Sequence, residues 1–221
     1  MSVNKEISRL FVLGIASILS IFLVYRFPSE GLFEGLLMYF FFFFVFPLSC
    51  IRFVLREKLS SFGFIWTHKK KDYLWFFGLL SLSMLSFFLI LSLFEKQTTA
   101  IPPSVVLSSF WLFFLFFFLV GGGIAFFYEV FFRGFIQLGV QKKLGFWAIF
   151  FQWIAFFIFI SITGDLFFQN GDFNWSSLPL LISSFFSGIL VYKTQSLFFS
   201  FVFSWSFGIL VSVIALLLSR I

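Results

Sequence analysis

One stretch of this chain restricts its fold more than any other feature of the sequence. The 45 residues between Lys96 and Lys142 contain only two charged side chains, Glu129 and Arg133. Similar apolar stretches recur along the chain, and runs of about 17 to 25 apolar residues fit helices that cross a bilayer core of about 30 Å. With 61% hydrophobic and 11% charged residues overall, a water-soluble core cannot hide this much apolar surface.

The apolar blocks also exclude a membrane β-barrel, because barrel strands alternate lipid-facing apolar residues with polar ones. Residues 40–44 and 116–118 are instead unbroken runs of phenylalanine. We therefore predict an all-α, polytopic membrane protein of about seven transmembrane helices. The spans are expected near residues 10–27, 36–54, 73–94, 105–128 with a continuation to about 139, 146–162, 177–192 and 196–218.

The distribution of basic residues indicates the orientation. Cytoplasmic loops of membrane proteins carry an excess of Lys and Arg. With the N-terminus in the cytoplasm, twelve basic residues lie inside and only Arg26, Lys96 and Arg220 lie outside. We therefore expect a multi-pass membrane protein with its N-terminus inside and with membrane lipid as a partner. The net charge of +6 is spread over short loops beside apolar spans, so no nucleic acid is expected to bind.

The longest inner connection, residues 52–72, combines basic residues with Phe62, Phe64, Ile65 and Trp66. Trp is enriched at headgroup level, and lysines near a membrane surface attract anionic lipid. We expect this connection to lie along the inner leaflet. The only histidine, His68, belongs to it and is interpreted as a solvated loop residue.

The two charges in the apolar stretch are four residues apart, as Glu129 and Arg133. A helix places such positions on one face. An ionisable residue inside the membrane costs about 2.5 to 3.5 kcal/mol on insertion scales and marks either a functional site or an internal ion pair. Both interpretations are open from the residues alone. The same face holds Phe126 and Gly122, and Gly122 is expected to provide a close-packing notch.

Few side chains are available for chemistry. One histidine and one cysteine, Cys50, cannot build a zinc site of several His and Cys ligands. We expect no metal and no cofactor. Serines are frequent in the spans, but no histidine lies within a span to activate one in the usual way.

The segment from Gly123 to Gln137, GIAFFYEVFFRGFIQ, resembles the signature helix of the CAAX-protease and bacteriocin-processing (CPBP, or Abi) family of intramembrane endopeptidases. That signature is a Glu-Glu pair, three residues and an Arg, usually followed by Gly. Residues 188–197 resemble the loop before the family's last core helix. The resemblance covers roughly residues 105–215, and it favours a bacterial cytoplasmic membrane as the location. It implies a three-span region with a basic inner loop over 1–104 and a CAAX-protease-like four-helix core over 105–221.

The resemblance also assigns positions to the family's catalytic groups. The first Glu of the pair, which is taken to activate water, corresponds to Tyr128. The assisting histidine of the next helix corresponds to Ser161, and the later histidine and its Asn or Asp correspond to Ser204 and Gly208. Of the signature residues, Glu129 and Arg133 are retained.

These replacements favour a protein without the family's usual mechanism. An ordinary tyrosine has a pKa of about 10 and cannot replace a carboxylate base at neutral pH, and serine does not shuttle protons there. The leading hypothesis is a non-catalytic or strongly impaired family member that binds a membrane protein or peptide.

Two alternatives remain open. One is an active endopeptidase with Glu129 as base, assisted by Tyr128, Ser161, Ser204 and Gln152. The other is a small-molecule or ion transporter, which intramembrane charge alone suggests. A polar cavity shared by Tyr128, Glu129, Ser161 and Ser204 and open to the cytoplasmic side would favour a ligand or substrate role.

Overall fold

The computed structural model describes residues 3–27, 31–66, 69–93, 117–163, 168–169, 172–173 and 178–218. Within these residues the chain forms seven helices and a short 3-10 helix, Leu59–Phe62. The helices are α1 (Val3–Arg26), α2 (32–54), α3 (Lys70–Leu93), α4 (117–144), α5 (Trp147–Thr163), α6 (Leu178–Thr194) and α7 (Leu197–Leu218). Between α5 and α6, two-residue strands β1 (Phe168–Gln169) and β2 (Asp172–Phe173) pair antiparallel.

The fold class predicted from the apolar stretches is confirmed. Four helices are long and apolar enough to cross a membrane, namely Glu6–Arg26, Phe33–Val54, Lys70–Leu89 and Phe118–Leu144, within the described part of the chain. Three shorter apolar helices follow, Trp147–Ile162, Leu178–Thr194 and Leu197–Val211. The beginning of the predicted fourth span, residues 105–116, and His68 lie outside the described residues.

The last four helices alternate in direction. Short connections at 145–146 and 195–196 turn α4 into α5 and α6 into α7, and Trp153 Nε1 of α5 donates to the Leu181 carbonyl of α6 over 3.0 Å. This arrangement places Lys142, Lys143 and Lys193 at one end of the bundle, called the basic end below. The other end, where α6 begins and α7 approaches its last residues, is called the opposite end.

An aromatic core joins the first two helices to α4 and α5. Phe43 of α2 is fully buried and stacks on Phe131 of α4, with ring centroids 4.3 Å apart. It also meets Phe159 of α5 edge-on at 5.1 Å, and Phe132 meets Phe156 edge-on at 5.0 Å. Offset and edge-on aromatic pairs are favourable beyond the area they bury, which explains how phenylalanine-rich helices reach a defined packing.

Helix α6 lies at the centre of the second half of the molecule. It packs against α3, α5 and α7 and contacts the buried part of α4. Its Leu190 belongs to a second core with Phe76 of α3 and Phe199 and Phe203 of α7. Its inward face is rich in serine and glycine, which let neighbouring helices approach closely in a membrane.

The connection between α2 and α3 differs from the expectation that it lies along the leaflet. Phe62 is fully buried, the amide of Leu197 donates to the Gly63 carbonyl at 2.9 Å, and Ser196 Oγ donates to the Ile65 carbonyl at 2.8 Å. Trp66 remains 58% exposed. The connection docks between α4 and the start of α7, where the Leu197 amide and the Ser196 hydroxyl donate to its backbone carbonyls.

Candidate functional site

Helix α4 carries both charges into the interior of the protein. Residues Glu129–Leu138 form a π-helical segment of ten residues, all of them buried. Glu129 is 1% exposed and Arg133 is 2% exposed. The pairing of Glu129 with Arg133 was expected on an α-helix, whereas the π-helical turns here are wider than those of an α-helix. Widened turns of this kind are frequent at functional sites.

The carboxylate of Glu129 accepts hydrogen bonds from three serines on two other helices. Ser187 Oγ of α6 lies 3.0 Å from both carboxylate oxygens. Ser200 Oγ of α7 donates to Oε2, and Ser204 Oγ donates to Oε1 over 2.6 Å. A carboxylate in an apolar surrounding needs such charge-assisted bonds. Glu129 therefore ties α4 to α6 and α7.

The number of available protons limits this network. Ser187 Oγ and Ser200 Oγ are also 2.6 Å apart, and each hydroxyl has one proton to donate. If both donate to Glu129, neither donates to the other. If one of these two hydroxyls donates to the other instead, only the hydroxyl that receives this bond can donate to the carboxylate. In each case the carboxylate is surrounded by hydroxyl groups that donate to it.

Arg133 is the less satisfied partner of the pair. Its Nη1 lies 3.6 Å from Glu129 Oε1, which is an ion-pair distance and too long for a hydrogen bond. The guanidinium carbon lies 5.3 Å from the ring centroid of Phe156, a cation–π arrangement. Its Nε has no hydrogen-bond partner among the described residues.

A cavity of about 280 Å³ adjoins the pair, and we call it the Tyr128 cavity. Its polar lining includes Tyr128, Glu129, Arg133 and Ser204, and Gly208 also lines it. Five of the six positions assigned from the family signature therefore face one space. The remainder of the lining is mainly apolar and comes from α4, α5, α6 and α7.

The Tyr128 cavity extends towards the opposite end of the bundle, where Gly121, Pro179 and Val211 line it. A cavity open to the cytoplasmic side was the condition that would favour a ligand or substrate role, and the predicted orientation assigns that side to the basic end, away from which this cavity extends. The physical reason is the docked connection. A Cβ atom added at Gly134 of α4 would lie 3.2 Å from the Phe62 carbonyl oxygen and 2.9 Å from Leu197, so the connection packs closely against α4 at this point.

A second cavity, of about 320 Å³, reaches Glu129 from the basic end and is called the Trp66 cavity. Gly63, Trp66, Leu197 and Phe198 line it together with Glu129. The Glu129 network therefore lies between two cavities.

Tyr128 joins an aromatic cluster rather than a set of proton-transfer groups. Its ring meets that of Tyr39 of α2 edge-on at 5.5 Å and that of Phe159 at 5.7 Å. The notch expected at Gly122 is present, because a Cβ atom there would lie 3.3 Å from Trp205 Nε1 of α7. That indole N–H has no hydrogen-bond partner among the described residues, and Trp205 lines the Tyr128 cavity.

Two residues considered from the sequence lie away from this cavity. Ser161 is exposed, and its hydroxyl donates to the Phe157 carbonyl of its own helix over 2.8 Å. Gln152 is buried and donates from Nε2 to Ser184 Oγ over 3.1 Å. Neither residue lines the Tyr128 cavity. The structure therefore brings Ser204, but not Ser161 or Gln152, to Glu129.

The sequence reasoning missed Ser187 and Ser200. A signal for one of them was present, because Ser200 and Ser204 are four residues apart and so share a face of α7. For Ser187 the signal was weaker, since serines 183, 184 and 187 of α6 do not single out one position. Serine stripes in membrane helices mostly hold helices together.

The arrangement offers one carboxylate, one guanidinium and several hydroxyl groups. Among the residues that the structure describes, no three His, Cys, Asp or Glu side chains are grouped as a metal site. The site can therefore hold hydrogen-bonding and apolar groups beside a fixed ion pair. No protein-family model, no curated protein and no solved structure matches this chain.

Proposed function

We propose that this chain is a CAAX-protease-like membrane protein that does not hydrolyse peptide bonds and instead binds an apolar segment of a membrane protein or peptide in the Tyr128 cavity. The N-terminus faces the cytoplasm of a bacterial cell in this proposal. The observation that carries it is the engagement of Glu129 by Ser187, Ser200 and Ser204.

A general base must reach the proton of its water at about 2.6 to 3.2 Å and be free to accept it. Glu129 accepts from hydroxyl groups at both carboxylate oxygens and faces Arg133 at 3.6 Å. Taking up a proton would break hydrogen bonds to the charged form and leave the guanidinium without its counter-charge. The network therefore favours a permanent structural carboxylate over one that cycles through protonation.

The lining of the cavity supports binding of an apolar segment that carries a few polar groups. Glu129, Arg133 and Ser204 line it among mainly apolar side chains. Apolar walls with a few placed polar groups are typical of ligand sites. A volume of about 280 Å³ suits a few side chains of a helix rather than a whole helix.

Filling the cavity is expected to abolish binding. A Cβ atom added at Gly208, which lines the cavity, has nothing within 4 Å, so Gly208→Leu places a side chain in the space without a backbone clash. We expect photo-crosslinking to a synthetic transmembrane peptide that carries a benzophenone to fall at least fivefold in the reconstituted full chain.

Gly123→Leu is the matched control. A Cβ atom at Gly123 of α4 also meets nothing within 4 Å, and Gly123 does not line the cavity. Crosslinking should therefore remain at the wild-type level in this variant. Equal crosslinking by both variants would place peptide binding elsewhere on the protein.

The alternative is an endopeptidase that uses Glu129 as base. It is favoured by one observation, that Tyr128, Glu129 and Ser204 line the same cavity. Hydroxyl groups in a dry site can stabilise a developing oxyanion. In this alternative a substrate must displace at least one serine from Glu129 before water can be activated.

A further inference from the structure

Two further cavities of the molecule lie side by side and differ in chemistry. A groove of about 740 Å³ is formed by α1, the end of α4 and α5, and its lining is almost wholly apolar. A polar cavity of about 490 Å³ lies at the basic end, between the start of α1 and the ends of α2 and α4. Leu10 and Lys143 line both, so the groove and the polar cavity are adjacent.

The groove is long enough to span the hydrocarbon region of one membrane leaflet. Its lining on α1 runs from Leu10 to Tyr25, and 15 residues of α-helix rise by about 22 Å. Half of a hydrocarbon core of about 30 Å is about 15 Å. An acyl chain can therefore lie in the groove from the membrane surface to the bilayer centre.

The polar cavity has a positive balance. Its lining holds four basic residues, Arg9, Arg56, Lys142 and Lys143, and two acidic residues, Glu6 and Glu57. Glu57 is already engaged, because Arg9 Nε lies 2.5 Å and Lys142 Nζ 3.9 Å from its carboxylate oxygens. Among the described residues, Arg56, Lys143 and Glu6 have no ion-pair partner, so the unpaired groups also carry a positive balance.

The backbone at Arg56 adds a second observation. Its φ angle is +56°, which is uncommon for a residue other than glycine and carries a conformational cost. The following amide, of Glu57, is held by the Ile51 carbonyl at 3.0 Å. The end of α2 thereby places Arg56 and Glu57 on the same cavity.

We propose that the groove and the polar cavity together hold one anionic phospholipid. Its phosphate lies beside Arg56 and Lys143, and one acyl chain lies between α1 and α5. This site is separate from the Tyr128 cavity and does not depend on the function proposed for it. Basic residues at a membrane surface attract anionic headgroups, whereas lipid that only surrounds the protein would show no such preference.

Native mass spectrometry of the purified full chain tests the proposal, with phosphatidylglycerol and phosphatidylcholine of identical acyl chains in equal amounts. We expect the wild type to retain one molecule of phosphatidylglycerol in preference to phosphatidylcholine. Arg56→Gln with Lys143→Gln should lower that preference roughly tenfold. Arg52→Gln with Lys58→Gln removes two exposed charges that do not line the cavity and should leave the preference unchanged.

A second pair of variants tests the groove. Gly14 lines it, and a Cβ atom there meets nothing within 4 Å, so Gly14→Leu fills it. We expect retention of either lipid to fall at least fivefold, whereas Gly78→Leu, at an equally open position of α3, retains lipid. Equal retention of the two lipids by the wild type, equal loss in the control variants, or a dimer of the chain in place of bound lipid would overturn the proposal.

Discussion

Glu129→Ala is expected to lower the free energy of unfolding by about 3–5 kcal/mol, the range found when one partner of a buried ion pair is removed. Arg133 would remain buried without a counter-charge, and the hydroxyl groups of Ser187, Ser200 and Ser204 would lose their acceptor. Reversible unfolding in mixed detergent micelles, followed by tryptophan fluorescence, measures the loss.

Two variants control this experiment. Ser161→Ala removes an exposed serine that, among the described residues, bonds its own helix at Phe157, so the unfolding of this variant should match the wild type. The double variant Glu129→Ala with Arg133→Met removes the orphaned charge and should be more stable than Glu129→Ala alone. A loss below about 1 kcal/mol for Glu129→Ala, the range of exposed pairs, would mean that the carboxylate is solvated and its network is not structural.

Gly63→Ala is expected to destabilise the protein by about 2–4 kcal/mol, because a backbone penalty and a steric one combine. Gly63 has a φ of +86°, and an added Cβ atom would lie 2.7 Å from Leu138 Cδ1 and 2.8 Å from Leu197 Cγ. The same residue accepts the hydrogen bond from the Leu197 amide. The substitution should therefore loosen the docking of the connection at the basic end, and the same unfolding assay measures the loss of stability.

Gly78→Ala is the matched control for Gly63→Ala. Gly78 lies on an open face of α3, where an added Cβ atom meets nothing within 4 Å. Alanine favours a helix by about 1 kcal/mol over glycine, so this variant should be as stable as the wild type or slightly more stable. Equal stability of the two variants would show that Gly63 is not held in its left-handed conformation by the contacts with α4 and α7.

The helices were predictable because long apolar runs have few folded forms in a membrane. The docking of the connection between α2 and α3 was not predictable, because Phe62 and Trp66 belong to one amphipathic stretch of sequence. Phe62 is fully buried and Trp66 is 58% exposed. Which of the two side chains enters the protein is decided by hydrogen bonds to Ser196 and Leu197, residues more than 130 positions away.

The candidate site was predictable in part. Burial cost singled out Glu129 and Arg133, and the structure pairs them. The position of Ser161 was not predictable, because α5 is apolar on all sides. Its buried stripe holds Ile149, Gln152 and Phe156, while Phe151 and Ile158 face outward. In a membrane both faces of a helix can be apolar, so hydrophobicity does not tell which face enters the bundle.

The most direct test of the account is a search for hydrolysis in water labelled with ¹⁸O. Proteoliposomes that contain the wild type or Glu129→Gln are incubated with a pool of transmembrane peptides, and new C-termini are identified by mass spectrometry. Hydrolysis of a peptide bond adds one oxygen atom of water to the new carboxyl group. With Glu129 held by three serines and Arg133, we expect no labelled C-termini from either protein. Labelled C-termini from the wild type that disappear in a folded Glu129→Gln variant would contradict the account.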